Sequence, residues 1–134
     1  MINLNCMLGI PTVKWSYSKL EKKMKYRKTI LIDLDGVLNT YTGNYDENFI
    51  PPIKEGAYEF LKDISNNYDI KIFTTRNLLQ TSEWVIKNNI KNFIKDVTNI
   101  KEPAYLQIDD RCINFNGDFY DLKNSIPNFK TWYK

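Results

Sequence analysis

The chain has 134 residues, of which 43% are hydrophobic and 26% charged, a composition typical of a single globular domain and not of a disordered or fibrous protein. Because it contains no histidine, Ser-His-Asp triads and histidine-based zinc sites are excluded. Acid–base chemistry at neutral pH must therefore come from carboxylates, lysine, tyrosine or cysteine. The two cysteines, Cys6 and Cys112, are too few for a zinc knuckle or a disulfide framework, so we expect a reducing compartment.

The net charge of +3 is unevenly distributed along the chain. Residues 1–28 hold seven of the 19 lysines and arginines but one of the 16 acidic residues, so residues 29–134 are net acidic. We interpret residues 1–27 as a basic arm or appendage and residues 28–134 as the folded domain. A basic arm can contact nucleic acid or another anionic surface, although more often it is a solvated leader. No stretch is apolar enough for a membrane span or a secretory signal, so we expect a cytoplasmic protein without a membrane partner.

The first clear element in chain order is a strand over residues 29–33, where a continuous apolar run ends in Asp33, as in buried parallel strands. Residues 40–45 then place Thr-Gly-Asn between tyrosines, which predicts a small hairpin flap. Pro51 and Pro52 end the extended chain and suit the start of a helix.

Two amphipathic helices are predicted next. The apolar face of the first comprises Ile53, Ala57, Phe60, Leu61 and Ile64. The second covers residues 78–89, and its inner stripe includes Leu79, Ile86 and Ile90. Further strands are predicted over residues 69–74, 105–108 and 112–115, with a short one near 96–97. Strands that alternate with helices indicate an α/β fold, here a three-layer, Rossmann-like parallel sheet with flanking helices.

Three of the predicted strands end in polar side chains. These side chains are Asp33, Thr74 and the pair Asp109 and Asp110. In parallel sheets, ligands bind outside the carboxyl ends of the strands, so we expect these groups to converge at one edge. Asp33 and Asp35 leave the first strand on the same side, and Gly36 permits a sharp turn behind them.

Residues 33–38, Asp-Leu-Asp-Gly-Val-Leu, closely resemble the first motif of the haloacid dehalogenase-like (HAD) hydrolase superfamily, whose members are mostly magnesium-dependent phosphatases. The second motif of that superfamily, a Ser or Thr that ends a strand, is matched by Thr74, with Thr75 as a competing candidate. The third motif, a lysine, is matched by Lys101. The fourth, an apolar strand that ends in acids, is matched by residues 106–110. The motifs occur in the superfamily's order, and the resemblance covers most of the predicted domain.

The resemblance implies a bound Mg²⁺, because carboxylates can approach an anionic phosphate only when a cation offsets the repulsion. The implied metal ligands are Asp33, the backbone carbonyl of Asp35, and Asp109 or Asp110. The sequence leaves open which of the last two binds directly. Asp33 is also the implied nucleophile, which forms an aspartyl-phosphate. Asp35 is the implied general acid and then the general base.

The resemblance also assigns the residues that bind the transferred phosphoryl group. Thr74 or Thr75 would donate a hydrogen bond to it, and Lys101 would neutralise its charge. Arg76 and Arg111 follow strand-end motifs, and two alternatives are open for them. They can contact substrate phosphates or form structural ion pairs.

The intervals between the motifs are too short for a separate cap domain, so the resemblance implies an open site roofed by the hairpin with Tyr41 and Tyr45. Open sites in this superfamily often serve bulky substrates or borrow a neighbouring subunit as a cover. We therefore expect a phosphatase for bulky substrates such as phosphorylated nucleic-acid ends or nucleotides. The class of phosphorylated substrate and the formation of a homo-oligomer stay open.

Two other classes of protein fit parts of this pattern. A non-catalytic protein could use the HAD-like fold for binding alone, although every matched catalytic position is filled. A receiver domain also gathers acids, Thr and Lys at a sheet edge. Its acid pair ends the first strand and its phosphorylated Asp lies on a later one, which is not the order found here. A P-loop kinase is unsupported, since no G-x-x-x-x-G-K-[ST] occurs.

Overall fold

Four parallel strands form one sheet in residues 26–134, the part of the chain that the computed structural model describes. They are β1 (Thr29–Asp33), β2 (Asp69–Phe73), β3 (Asp96–Thr98) and β4 (Leu106–Ile108). Their order in the sheet is β3-β2-β1-β4. The predicted α/β class with a parallel sheet is confirmed, and these four strands lie within one residue of the predicted positions.

The strand β1 lies in the interior of the sheet, hydrogen-bonded to β2 on one side and to β4 on the other. In register, Ile30 lies opposite both Ile70 and Leu106. Ile30 and Ile32 on one face and Leu31 on the other are all buried, as expected of a strand that is covered on both faces. Because β1 is central, Asp33 at its end lies between the ends of neighbouring strands.

Three α-helices accompany the sheet in residues 26–134. They are α1 (Ala57–Ile64), α2 (Leu78–Lys87) and α3 (Phe119–Ser125), with 3-10 turns over Lys91–Phe93 and Ile126–Asn128. At the start of α2, the side chain of Asn77 accepts a hydrogen bond of 3.1 Å from the backbone N–H of Gln80. Asp118 caps α3 in the same way. Among residues 26–134, no helix combines the length and the apolar character that a membrane span requires.

The hydrophobic core lies between the sheet, the turn after β1, and the inner faces of α1 and α2. It comprises Ile30, Ile32, Leu34, Leu38, Ala57, Leu61, Ile70, Ile72, Trp84, Val85 and Ile90. Side chains of β1 and β2 supply the centre of this core, so the ends of these two strands are held rigidly in place.

The predicted apolar face of α1 is confirmed in part. Ala57 and Leu61 are buried, whereas 41% of Phe60 is exposed. Ile53 also packs against the core, but it precedes the helix and pairs with Asn39 in an isolated antiparallel bridge. The helix therefore begins at Ala57 and not directly after the two prolines.

The predicted inner stripe of α2 is wrong for Leu79 and Ile86. Leu79 and Ile86 are 70% and 57% exposed, and Ile90 is buried but lies beyond the end of the helix. The buried residues of the helix are Thr81, Trp84 and Val85. The indole N–H of Trp84 donates to the carbonyl of Pro51 at 2.9 Å. The indole N–H can be buried because it is hydrogen-bonded. A pattern of aliphatic residues alone therefore does not identify the helix face that contains Trp84.

The hairpin predicted over residues 40–45 is also wrong. These residues form no strand, and the chain over residues 40–52, which we call the flap loop, is closed at its base by the bridge between Asn39 and Ile53. The Thr-Gly-Asn signal marks a bend, but no second strand follows it to supply the pairing that a hairpin needs.

The strand predicted over residues 112–115 is wrong as well. This segment pairs with no strand of the described part of the chain, and all of its residues are exposed. A short apolar segment is stabilised as a strand when it pairs with the edge of a sheet and buries its side chains against the core. Ile113 and Phe115 remain 36% and 50% exposed, so this segment does not meet that condition. Within the described residues, β4 is therefore an edge of the sheet.

Most of the predicted basic arm, residues 1–25, lies outside the described residues. Arg27, the last residue assigned to the arm, contacts the domain. It donates to the carbonyls of Ser65 and Tyr68, and its Nε lies 3.3 Å from a carboxylate oxygen of Asp69. Asp69 begins β2, so this contact lies at the end of the sheet opposite to the strand-end acids.

Candidate active site

Three carboxylates meet where β1 and β4 end. Asp33 is the last residue of β1, and Asp109 and Asp110 directly follow β4. One carboxylate oxygen from each of the three lies within 4.8 Å of the others. The chain continues from β1 to β2 on one side of the sheet, whereas β4 pairs on the other side. The acids therefore lie at a topological switch point, where open parallel sheets bind ligands.

The turn after β1 requires glycine at position 36. Gly36 has a φ of +82°, which is the left-handed region that glycine tolerates best. A Cβ atom at this position would overlap the carboxylate of Asp110. The side-chain carbonyl of Asn39 accepts a hydrogen bond of 3.1 Å from the N–H of Gly36. The glycine thus lets the turn approach the acids that follow β4.

Asp33 lies in an environment that disfavours its negative charge. Burial is the main cause and the charge of Asp109 the second, and together they raise the pKa of Asp33 from 3.8 to about 7. The charges of Asp110 and Asp35 act in the same direction, against a hydrogen bond from the N–H of Leu34. A cation between the acids would favour the ionised form of Asp33.

Asp109 and Asp110 differ in their hydrogen bonds. Asp109 accepts one from the backbone N–H of Arg111 at 2.8 Å and one from the side-chain amide of Gln107 at 3.2 Å. Both carboxylate oxygens of Asp110 are buried, and neither has a hydrogen-bond partner among residues 26–134. An unpaired buried carboxylate is unfavourable, so this group fits a site that a cation completes. A hard divalent ion such as Mg²⁺ takes oxygen ligands of this kind.

Asp35 is held by two side chains. Its Oδ2 lies 2.7 Å from Nε of Arg76, and its Oδ1 accepts a hydrogen bond of 2.9 Å from the side-chain amide of Asn39. The side chain of Asp35 is 18% exposed, against 1% for Arg76. Of the two alternatives for Arg76, the structure shows the ion pair.

Thr74 and Thr75 both line the cavity beside the acids. Thr74 is buried, and its N–H donates to the carbonyl of Thr98 at 3.0 Å, which extends the pairing of β2 with β3 by one residue. Its hydroxyl oxygen accepts a hydrogen bond of 3.2 Å from the N–H of Arg76, which leaves the hydroxyl proton available to a phosphate oxygen. Thr75 is exposed. Either hydroxyl can donate to a bound phosphate.

Lys101 is not brought to the cavity. Its side chain is exposed and does not belong to the cavity lining. The side chain of Asn99 donates to the carbonyl of Arg76 at 3.0 Å, which directs the loop after β3 along the end of β2. Farther along this loop, Glu102 pairs with Lys71. This placement differs from the expectation that Lys101 faces the phosphate, because these two contacts fix the loop on either side of it.

The strand-end groups surround a cavity of about 260 Å³. Its lining comprises Asp33, Asp35, Tyr41, Tyr45, Phe73, Thr74, Thr75, Asp109, Asp110 and Arg111. The exposed guanidinium of Arg111 is the one cationic group in this set, and it donates to the hydroxyl of Tyr133 at 3.4 Å. The cavity thus combines four carboxylates with one guanidinium, two hydroxyls of threonine and three aromatic rings.

Two residues that shape the site carry no local signal in the sequence. Asn39 binds Asp35 and closes the turn, and Trp132 donates its indole N–H to the carbonyl of Gly36 at 2.7 Å. The ring of Trp132 also lies 4.0 Å from Nζ of Lys54. Neither residue could be predicted to belong to the site from the sequence. Asn39 and Trp132 stand at no characteristic spacing from the acids.

Comparison with known proteins supports the fold alone. No family model and no curated protein matches this chain. The solved structure of a conserved protein from Bacteroides thetaiotaomicron is similar, with a TM-score of 0.51 and 19% sequence identity. The match covers 79% of this chain and 94% of that one. A likeness at this level of identity agrees with the α/β parallel-sheet architecture and does not indicate the chemistry of the site.

Proposed function

We propose that the protein is a magnesium-dependent phosphatase of the HAD type, which hydrolyses a phosphate monoester through an aspartyl-phosphate. The observation that carries the proposal is the cluster of Asp33, Asp109 and Asp110, in which the buried oxygens of Asp110 have no partner among the described residues. Carboxylates packed this closely need a shared proton or a cation. The resemblance of residues 33–38 and 106–110 to HAD motifs supports the choice of reaction.

Mg²⁺ suits this donor set because the set consists of oxygen atoms. We assign its binding to the carboxylates of Asp33 and of Asp109 or Asp110, together with the backbone carbonyl of Asp35. When bound, the ion supplies the positive charge that offsets the repulsion between these carboxylates and a phosphate group.

Asp33 is the nucleophile in the proposed reaction. Asp35 enters this step in its protonated form. One oxygen of Asp33 attacks phosphorus, the bond from phosphorus to the ester oxygen breaks, and Asp35 gives its proton to the leaving alcohol. In the second step, Asp35 takes a proton from water, whose oxygen attacks the phosphorus of the aspartyl-phosphate and releases inorganic phosphate. Both carboxyl groups then return to their initial states.

The cavity lining supplies donors for the phosphoryl oxygens. Thr74 or Thr75 donates a hydroxyl, and Arg111 contributes positive charge. In this proposal Arg111 takes the role that the HAD resemblance gives to Lys101, because Arg111 lines the cavity and Lys101 does not. Donors and charges that are already in position account for most of the acceleration of phosphoryl transfer.

We propose a bulky phosphomonoester as substrate, such as a phosphorylated nucleic-acid end or a nucleotide. Tyr41 and Tyr45 line the cavity, and 58% of Tyr45 is exposed. Aromatic rings in such positions can stack on a base. The excess of basic residues in residues 1–28 adds charge of the sign that attracts a nucleic acid.

Turnover of p-nitrophenyl phosphate tests the proposed activity. The full chain is expected to release p-nitrophenol with excess Mg²⁺, to stop in EDTA, and to resume when Mg²⁺ is restored. The Asp33→Asn variant, nearly identical in shape, is expected to be inactive. A matched control, Asp63→Asn, changes an exposed acid of α1 and is expected to keep the wild-type rate. Activity that persists in EDTA or in Asp33→Asn would refute the mechanism.

A second candidate is a non-catalytic protein that uses the same site for binding. The position of Lys101 favours it, because the residue expected to neutralise the transferred phosphoryl group lies outside the cavity lining. This candidate predicts that Mg²⁺ raises the melting temperature while no phosphomonoester is hydrolysed. A screen of nucleotides, sugar phosphates, 3′- and 5′-phosphorylated oligonucleotides and phosphopeptides distinguishes the two candidates and identifies the substrate class.

A further inference from the structure

Arg76 joins an acid of the site to the flap loop. Its side chain is buried, and its Nε lies 2.7 Å from Oδ2 of Asp35. Its Nη1 donates to the carbonyls of Asp46 and Phe49, at 2.8 and 3.1 Å. The guanidinium carbon lies 4.6 Å from the centre of the Tyr45 ring. One side chain therefore contacts both Asp35 and three residues of the flap loop.

Asp35 is restrained at both of its carboxylate oxygens. Arg76 holds Oδ2, and Asn39 donates to Oδ1 at 2.9 Å. Asn39 is itself fully buried, and its side-chain carbonyl accepts hydrogen bonds from the N–H groups of Gly36 and Tyr41, both at 3.1 Å. The carboxylate of Asp35 cannot turn without losing one of its two contacts, yet it lines the cavity. It is thus oriented and accessible at the same time.

A structural cross-link alone does not account for Arg76. Burial of a charged pair is unfavourable, and well-packed apolar side chains in its place are often as stable or more so. The Nη2 group of Arg76 is buried and has no acceptor among the described residues, which adds a further desolvation cost. Buried polar groups without partners are rare in folded proteins and call for a specific explanation, such as a role in function.

We propose that Arg76 is a positioning residue, which fixes the orientation of the Asp35 carboxyl group for proton transfer to the leaving group and couples this orientation to the flap loop. This inference rests on the proposed phosphatase function and adds to it a residue that acts through Asp35, since Arg76 does not belong to the cavity lining. Lysine is a poor substitute, because its point charge lacks the planar fork that reaches Asp35 and two loop carbonyls at once.

The dependence of the rate on the leaving group measures this role. p-Nitrophenolate leaves with little need of a proton, whereas an alkyl alcohol needs one from Asp35. In Arg76→Gln, kcat for glycerol phosphate is expected to fall about 100-fold, and kcat for p-nitrophenyl phosphate less than about 10-fold. KM for both substrates is expected to stay within about threefold of the wild type, because substrate does not touch Arg76. Arg76→Lys retains a charge beside Asp35 and is expected to recover part of the loss.

Two controls separate positioning from folding. Arg27→Gln is the first control. Like Arg76, Arg27 donates to two backbone carbonyls and pairs with an aspartate, but it lies at the opposite end of the sheet. Arg27→Gln is expected to leave the ratio of alkyl to aryl rates unchanged. In an Asp35→Asn background, the further change Arg76→Gln is also expected to leave this ratio unchanged, because the acid is already absent. Melting temperatures of all variants show which of them fold, and Arg76→Lys provides the ratio where Arg76→Gln does not fold.

A ratio of alkyl to aryl rates that falls when Arg76 is changed, but not when Asp35→Asn is already present, supports the positioning role. Equal losses for both substrates, or no loss for either, overturn it and leave the phosphatase proposal intact. A wild-type chain that hydrolyses neither substrate refutes the proposed function and this inference together.

Discussion

The indole N–H of Trp132 donates a hydrogen bond of 2.7 Å to the carbonyl oxygen of Gly36, 96 positions earlier in the chain. Gly36 follows Asp35 in the turn after β1, and Nζ of Lys54 lies 4.0 Å from the centre of the Trp132 ring. Trp132 therefore holds the turn that carries Asp35 and directly follows Asp33 at the end of β1.

Replacement of Trp132 by phenylalanine tests this support. Trp132→Phe keeps an aromatic ring beside Lys54 but loses the hydrogen bond to Gly36. The free energy of unfolding is therefore expected to fall by about 1 kcal/mol. We also expect kcat to fall by a larger factor than the factor by which KM changes. Urea denaturation and steady-state kinetics measure the two effects. Tyr120→Phe, in an exposed position of α3, is the matched control and is expected to change neither. An unchanged unfolding energy for Trp132→Phe would show that the hydrogen bond does not stabilise the turn.

Gly36→Ala is expected to destabilise the protein more than Gly56→Ala. The two glycines have almost the same φ, +82° and +84°, so both substitutions carry a backbone strain of about 1–2 kcal/mol. A Cβ at Gly56 meets no atom within 4 Å, whereas one at Gly36 overlaps the Asp110 carboxylate. Gly36→Ala should therefore also weaken Mg²⁺ binding, as measured by the concentration that gives half of the maximal thermal shift. Equal losses of stability in the two variants would contradict the close approach of Gly36 to the Asp110 carboxylate.

Asp33→Asn is expected to stabilise the metal-free protein at high pH. The folded pKa of Asp33, about 7, lies above the unfolded value of 3.8. The neutral form therefore favours folding below pH 3.8, and this contribution is lost as the pH rises through 7. In EDTA, Asp33→Asn should match the wild type near pH 4 and exceed it at pH 8, by an amount on the order of 3 kcal/mol. Melting curves at both pH values check this, and a constant difference would disprove the raised pKa.

Mg²⁺ is expected to raise the melting temperature of the wild-type chain at pH 8. At 100 times its dissociation constant, a ligand of the folded state adds about 2.7 kcal/mol of stability. Asp110→Asn removes a carboxylate that has no partner among the described residues, so most of this gain should disappear. In Asp63→Asn, which changes an exposed acid of α1, the gain should be retained. If Asp110→Asn responds to Mg²⁺ as the wild type does, Asp110 is not part of the metal site.

Arg111 and Lys101 are distinguished by parallel substitutions. Arg111→Gln removes the cationic side chain of the cavity lining, and kcat/KM for p-nitrophenyl phosphate is expected to fall about 10-fold or more. Lys101→Gln changes an exposed side chain outside that lining and is expected to stay within about twofold of the wild type. The reverse result would show that the loop after β3 closes over bound phosphate and brings Lys101 into contact with it.

The strands and their terminal acids could be predicted from local sequence. A strand that is buried on both faces, such as β1, is a continuous apolar run, and an acid directly after it lies at the carboxyl edge of a parallel sheet. For this reason the sequence predicts that Asp33, Asp109 and Asp110 lie at one edge of the sheet. The inner face of α2 could not be predicted in the same way. Trp84 can be buried there because its indole N–H donates to the carbonyl of Pro51. The spacing of residues within the helix does not indicate a hydrogen bond to a carbonyl elsewhere in the chain.

Sequence alone thus determined the α/β class, the order of the strands along the chain and the residues that end them. Only the tertiary structure decided the partners of those residues. Arg76 and Asp35 are 41 positions apart, and Trp132 and Gly36 are 96 positions apart. Lys101 lies away from the cavity because of the path that one loop takes. The physical reason is that periodicity records which side chains are buried, whereas a hydrogen bond or an ion pair depends on the distance and angle between two groups that only the folded chain brings together.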